Sequence, residues 1–184
     1  MCNNFNKKFL DEAAKALEKN DLDPAPIISD HEKFMGEAIK EAIKGMNANE
    51  GGPFGCVIVK GGKIIGRGNN KVTSTNDPTA HAEVTAIRDA CKHLNSFQLD
   101  GCTIYTSCEP CPMCLGAIYW ARPDKVYFGC NQEDAANIDF DDEFIYKEIP
   151  LPYDKRSIPF EQCARDIAIV AFQKWEEKED KTAY

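Results

Sequence analysis

His81-Ala82-Glu83, followed after 26 residues by Pro110-Cys111-Pro112-Met113-Cys114, decides how this chain is read. One imidazole, two thiols in Cys-x-x-Cys spacing and a carboxylate beside the imidazole are the parts of a zinc site. Two thiolates cancel the charge of the ion, a neutral histidine fills a third position, and the fourth stays open for water. Glu83 is not needed as a ligand and is free to carry protons. A purely structural zinc held by these residues would lack a fourth protein ligand.

The surroundings agree. Pro112 suits the first position of a helix, which makes Cys111 its cap and Cys114 a residue of its first turn. The positive end of that helix favours thiolates. Asp77-Pro78 predicts a second helix running to about Leu94, with Val84, Ile87, Cys91 and Leu94 as its buried stripe. His81 and Glu83 are two residues apart and do not share a helix face. Both reach one ion only if it lies near the N-terminal end of that helix. Cys108 has the same spacing to Cys111 as Cys111 has to Cys114; the proline-led helix start favours the second pair and leaves Cys108 as a packed neighbour. Of the three histidines, His31 falls in a capping turn and His93 at a helix C-terminus.

Further out, Ser29 and Glu32 form a capping box for a helix striped by Phe34, Met35, Ala38, Ile39, Ala42, Ile43 and Met46. Cys56-Val57-Ile58-Val59 and Ile64-Ile65 read as strands joined through Gly61-Gly62. Thr103-Ile104-Tyr105-Thr106 and Val126-Tyr127-Phe128 are two more strands, Pro123 stops the helix before the last of them, and a final helix spans roughly Ala164 to Lys178. Helices alternating with short strands predict an α/β fold, a three-layer α/β/α sandwich around a central sheet. Residues 1–28 stand apart as an extension of unknown role. Phe9, Leu10, Ala13, Ala14, Ala16 and Leu17 could line a short amphipathic helix there, which Asp23-Pro24-Ala25-Pro26 would break. The domain proper is expected over 29–184.

At 184 residues one domain can bury a continuous core. No apolar run approaches a membrane span. Nine cysteines, an odd number with three of them in successive Cys-x-x-Cys spacing, read better as metal binding in a reducing cytoplasm than as a disulfide framework. A net charge of -8 weighs against a nucleic-acid partner, which is usually held through clustered Lys and Arg, and toward a small neutral substrate.

The order H-x-E then P-C-x-x-C resembles the signature of zinc-dependent base deaminases. The likeness narrows further along Asn76-Asp77-Pro78-Thr79-Ala80-His81-Ala82-Glu83-Val84-Thr85-Ala86-Ile87-Arg88, along Tyr105 to Arg122, and along Phe140-Asp141-Asp142-Glu143-Phe144-Ile145-Tyr146. These runs resemble the guanine deaminases of the cytidine deaminase superfamily, and the resemblance extends from about residue 31 to Tyr184. It implies a cytidine deaminase-like sandwich with a central mixed sheet and one zinc per subunit on His81, Cys111 and Cys114. It also implies hydrolysis of guanine to xanthine and ammonia by a zinc-activated hydroxide, with Glu83 as proton shuttle.

Substrate contacts implied in the same way are Phe54 packing on the ring, Asn70 hydrogen-bonding the purine, Ala82, and Asp142 facing the N1 and amino edge. The family further implies a cytoplasmic homodimer that exchanges its C-terminal helical segment, about 160–184, with Tyr184 closing the partner's site. Read from the residues alone, Phe54 would be core filler, Asn70 a turn residue, Asp142 a solvated loop acid and Tyr184 a charged tail's end. Three rival functions stay open: a guanosine deaminase, a tRNA adenosine deaminase, and a non-catalytic nucleobase- or zinc-binding module. The acidic charge speaks against tRNA, and the presence of Glu83 speaks against the non-catalytic module. Nothing local separates base from nucleoside.

Overall fold

The computed structural model describes residues 29–183, so the expectations for the N-terminal extension and for Tyr184 lie outside the described residues. Helix α1 (Asp30–Asn47) starts at the expected capping box: the Ser29 hydroxyl accepts the Glu32 N–H, and the Glu32 carboxylate accepts the Ser29 N–H at 2.8 Å. Strands β1 (Gly55–Lys60) and β2 (Lys63–Asn69) form an antiparallel hairpin. Its turn residues Gly61 and Gly62 have φ of +55° and +75°, which a side chain would strain. Strand β3 (Cys102–Cys108) pairs antiparallel with β1, and β4 (Lys125–Cys130) pairs parallel with β3. The sheet is therefore mixed, in the order β2-β1-β3-β4.

Alternation along the strands sorts the core into two layers. Val57, Val59 and Tyr105 lie under Phe34 and Ala38 of α1. Cys56, Ile58 and Ile104 face the other way, toward helices α3 (Ala82–Leu94) and α4 (Pro112–Ala121). Ile58 and Ile104 are fully buried, each contributing about 1.5–3 kcal/mol of hydrophobic stabilisation. Between β2 and α3 sits a single turn, α2 (Val72–Thr75). After β4 come α5 (Gln132–Ala136), α6 (Glu143–Glu148), a 3-10 turn at Tyr153–Lys155, and α7 (Arg165–Glu177). The three-layer sandwich is the architecture expected from the sequence.

Three details differ. Helix α3 begins at Ala82, four residues after Pro78, because the Asp77 carboxylate captures the Thr79 N–H at 2.8 Å and its hydroxyl at 2.6 Å. That side-chain turn competes with helix and wins. The deepest face of α3 is Ala82, Ala86 and Ala90, while Ile87, Cys91 and Leu94 pack at its margin and Val84 is half-buried. The cause is close approach to β2: a Cβ on Gly68 would lie 2.3 Å from the Ala82 carbonyl oxygen. On α1, Phe34, Ala38 and Ala42 are buried, but Ile43 and Met46 are 38% and 44% exposed. With Met35, Ile39 and Ile138 they border an apolar cavity of about 370 Å³.

Candidate active site

Two helix N-termini converge at one end of the sheet. His81 is the N-cap of α3 and Cys111 the N-cap of α4, with Pro112 in the first turn as the sequence required. Neither residue makes a side-chain capping bond. Each is thereby left to face the other: His81 Nδ1 lies 3.6 Å from Cys111 Sγ and 3.6 Å from Cys114 Sγ. A tetrahedral zinc with Zn–S and Zn–N bonds of about 2.3 and 2.0 Å sets sulfur and nitrogen ligands about 3.5 Å apart. The three ligand atoms lie within 4.8 Å of one another, and they are the one such group found among the described residues. Two soft thiolates and an imidazole select zinc over hard cations.

Electrostatics prepares the same trio. A hydrogen bond from Cys114, reinforced by His81, holds the Cys111 thiol far below its ordinary value, to about 4. That hydrogen bond, together with burial, pushes Cys114 up. Without metal the sulfurs share a proton that a metal ion would displace. The Cys111 contact raises His81, with its own burial opposing. Cys108, at the last position of β3, is buried and driven by that burial up to about 12. It remains a thiol, bonds the Asn131 carbonyl and lies outside the ligand group, as the helix start implied.

Glu83 sits in the first turn of α3, 6% exposed, and burial lifts its carboxyl above the usual range. Oε1 accepts from the Thr106 hydroxyl at 3.0 Å, and Oε2 lies 3.3 Å from Cys114 Sγ. His81, Glu83 and Cys111 line one end of a cavity of about 500 Å³. Phe54, Asn70 and Asp142 line the same cavity, so the structure brings these sequence-derived candidates together. Phe54 stands edge-on to Phe140, with ring centroids 4.9 Å apart. Asn70 is both turn residue and wall: its Oδ1 accepts the Val72 N–H at 3.1 Å, which leaves its amide hydrogens for the cavity. Asp142 is the N-cap of α6 but makes no capping bond; its Oδ1 accepts from Gln132 Nε2 at 2.8 Å. Ala82 is fully buried and does not line this cavity, so the structure does not bring it to the wall with the other candidates. Its N–H, at the first position of α3, has no partner within the helix.

Sequence reasoning missed Thr106 and Gln132. Thr106 carried a signal, since it shares a strand face with Ile104 and is therefore aimed at α3. Gln132 carried none, because its reach to Asp142 depends on how α5 and α6 fold back.

The Cytidine and deoxycytidylate deaminase zinc-binding region matches residues 28–130. A guanine deaminase of Bacillus subtilis is 57% identical over 154 residues, covering 84% of this chain and 99% of the relative. A crystal structure of guanine deaminase from Bacillus subtilis superposes with a TM-score of 0.82 at 57% identity, covering 84% of this chain and 98% of that one. A tRNA-specific adenosine deaminase of the same species is 46% identical over 98 residues, 53% of this chain and 60% of its own length. With its ligand trio, its buried glutamate and its mixed-sheet sandwich, the chain belongs to the cytidine and deoxycytidylate deaminase zinc-binding family.

Proposed function

We propose that this protein hydrolyses guanine to xanthine and ammonia, with Glu83 as the proton shuttle. The observation that carries the reading is the buried Glu83 carboxylate, 3.3 Å from one ligand thiol, at the end of a cavity whose wall includes Asp142. Bound zinc supplies a water acidic enough to ionise near neutral pH. Glu83 takes up the first proton and delivers it to ring nitrogen N3 beside the reacting carbon. It then carries the second to the exocyclic amine, which leaves as ammonia while the carbonyl forms. A raised carboxyl pKa suits a group that must both accept and give up a proton.

Asp142 is an acceptor without a hydrogen to give, and guanine presents N1–H donors where adenine presents a lone pair. A site built to pair such a donor rejects an analogue that leaves its polar group unpaired. The match to the Bacillus subtilis guanine deaminase spans 84% of the chain, and that to the tRNA-specific enzyme spans 53%. Ammonia release by the zinc-loaded protein, measured in parallel on guanine, guanosine, adenine, cytosine and cytidine, tests the reading. Strong preference for guanine is expected; turnover of guanosine or cytidine instead would overturn the substrate while keeping the chemistry.

We also propose a homodimer with exchanged C-terminal segments. On α7, Ile167, Val170, Phe172 and Trp175 are exposed and no residue is buried, so the helix finds no core within its own described chain. The apolar cavity beside Met35, Ile39 and Ile43 offers such a helix a seat in a second copy. The eight described cysteines are free, which fits the reducing cytoplasm proposed for the protein. No described helix is long and apolar enough to cross a membrane.

A further inference from the structure

We infer that Thr106 is a positioning residue for Glu83, fixing which carboxylate oxygen faces the ligand thiols; the inference rests on Glu83 as the proton shuttle. Cys102, Ile104, Thr106 and Cys108 are the buried positions that alternate along β3. In that row Thr106 is the one hydroxyl, 1% exposed. A buried hydroxyl is disfavoured unless it finds a partner, and this one finds Glu83 Oε1 at 3.0 Å. The β-branched side chain has a stiff first torsion, so the strand backbone itself aims the hydroxyl. Oε1 is thereby occupied as an acceptor, and Oε2 is the oxygen turned toward Cys114, 3.3 Å away.

The role sharpens once a metal binds. Cys114 must give up its proton to become a ligand, so its thiol can no longer donate to Oε2. Thr106 then remains as the side-chain donor to the carboxylate. A glutamate has three side-chain torsions, and the Thr106 hydroxyl is the side-chain group of the neighbouring strand that fixes the last of them at Oε1. Proton transfer is sensitive to such orientation, and a misplacement of about 1 Å can lower rates about a hundredfold.

The test is Thr106→Val, which keeps shape and removes the hydroxyl, beside Thr106→Ser, which keeps the hydroxyl. Zinc content, melting temperature, kcat and KM for guanine are measured on each, with Glu83→Gln as reference. The expected result for Thr106→Val is full zinc content and a kcat lowered about ten- to a hundredfold, with KM within about twofold. Thr106→Ser restores most of the kcat. Combined with Glu83→Gln, Thr106→Val lowers the residual rate no further, because it acts through Glu83 alone. An undiminished kcat in Thr106→Val, or loss of zinc and stability in step with kcat in both variants, overturns the inference and makes the bond a packing feature. Full turnover by Glu83→Gln is a different failure: it removes the shuttle itself, and this inference with it.

Discussion

His81 and Cys111 hold equivalent places in two different helices: each is an N-cap, each leaves its helix uncapped by a side chain, and Nδ1 and Sγ meet 3.6 Å apart. A Ser or Asp at either cap would stabilise its helix by about 0.5–2 kcal/mol. The fold forgoes that twice, and a bound ion is what replaces it. Chelation should therefore destabilise the domain as well as silence it. At free zinc a thousandfold above Kd the ion contributes about 4 kcal/mol. For a chain of this size its removal lowers Tm by roughly 10 °C. Calorimetry with and without chelator should show that drop in the native protein and none in Cys111→Ala.

Close packing between β2 and α3 fixes the position of Glu83. A Cβ on Gly68 would fall 2.3 Å from the Ala82 carbonyl and 2.4 Å from the Ala86 N–H nitrogen, both backbone atoms that cannot swing aside. Gly68→Ala must move the first turns of α3, and Glu83 with them. The expected loss is about 1–3 kcal/mol of stability, together with most of the turnover. Gly36, on α1, has nothing within 4 Å of its missing Cβ. Gly36→Ala should stabilise by about 0.5–1 kcal/mol, and denaturant titration of the two variants separates steric conflict from helix propensity.

That packing also shows what the sequence could and could not convey. The capping boundary at Pro112 and the Gly61-Gly62 hairpin were legible because each depends on residues close in the chain, and the ligand trio, 30 residues apart, because its residue types and their order are a recognisable zinc pattern. The buried face of α3 was misread because size, not hydrophobicity, decides it: the alanines win where Gly66 and Gly68 bring the strand close. His31 does lie in the capping turn between Ser29 and Glu32, but the sequence did not show that its Nδ1 lies 2.8 Å from the Tyr105 hydroxyl and its ring 4.4 Å from that of Tyr127. Such contacts between residues far apart in sequence follow from strand register, which no local pattern announces.

Burial of Glu83 has a consequence for stability against pH. Its folded-state value is raised, chiefly by desolvation, so the fold favours the protonated form. Protonated Glu83 favours the fold at acid pH, and that advantage is lost as pH rises through the raised folded value. Metal-free Glu83→Gln should accordingly be more stable than the metal-free native protein at pH 7, and the gap should close toward pH 4. Urea titrations across that range check the sign; an equal gap at both ends would detach the effect from ionisation.

Gln132 holds Asp142 through a 2.8 Å hydrogen bond to Oδ1, which leaves Oδ2 for a substrate donor. Hydrogen bonds to charged groups are worth about 1.5–3 kcal/mol when removed. Gln132→Ala should raise KM for guanine about tenfold, with a smaller change in kcat, if the bond serves to hold Asp142 for substrate binding as proposed. Asp142→Asn should be worse, since its amide can turn a donor toward the guanine N1–H. Steady-state kinetics on both variants distinguishes a recognition role from a catalytic one.

Helix α7 makes the strongest case that this chain is completed by a second copy. A 13-residue helix is marginal in water unless an apolar face is packed, yet Ile167, at 77% exposure, and Phe172, at 71%, stand open. Nothing among the described residues covers them, and the proposed association would supply the missing burial. Replacing both by serine removes apolar area from the contact without touching the site residues of the same chain. Light scattering should show a dimer for the native protein and a smaller species, or a dimer that dissociates on dilution, for the double variant. Turnover should fall in parallel, because the segment proposed to be exchanged carries the tail expected to close the partner's cavity. A truncation that removes residues 179–184 divides the two effects: assembly through α7 persists while turnover drops. A fully active monomer would leave the exposed face of α7 to some other partner.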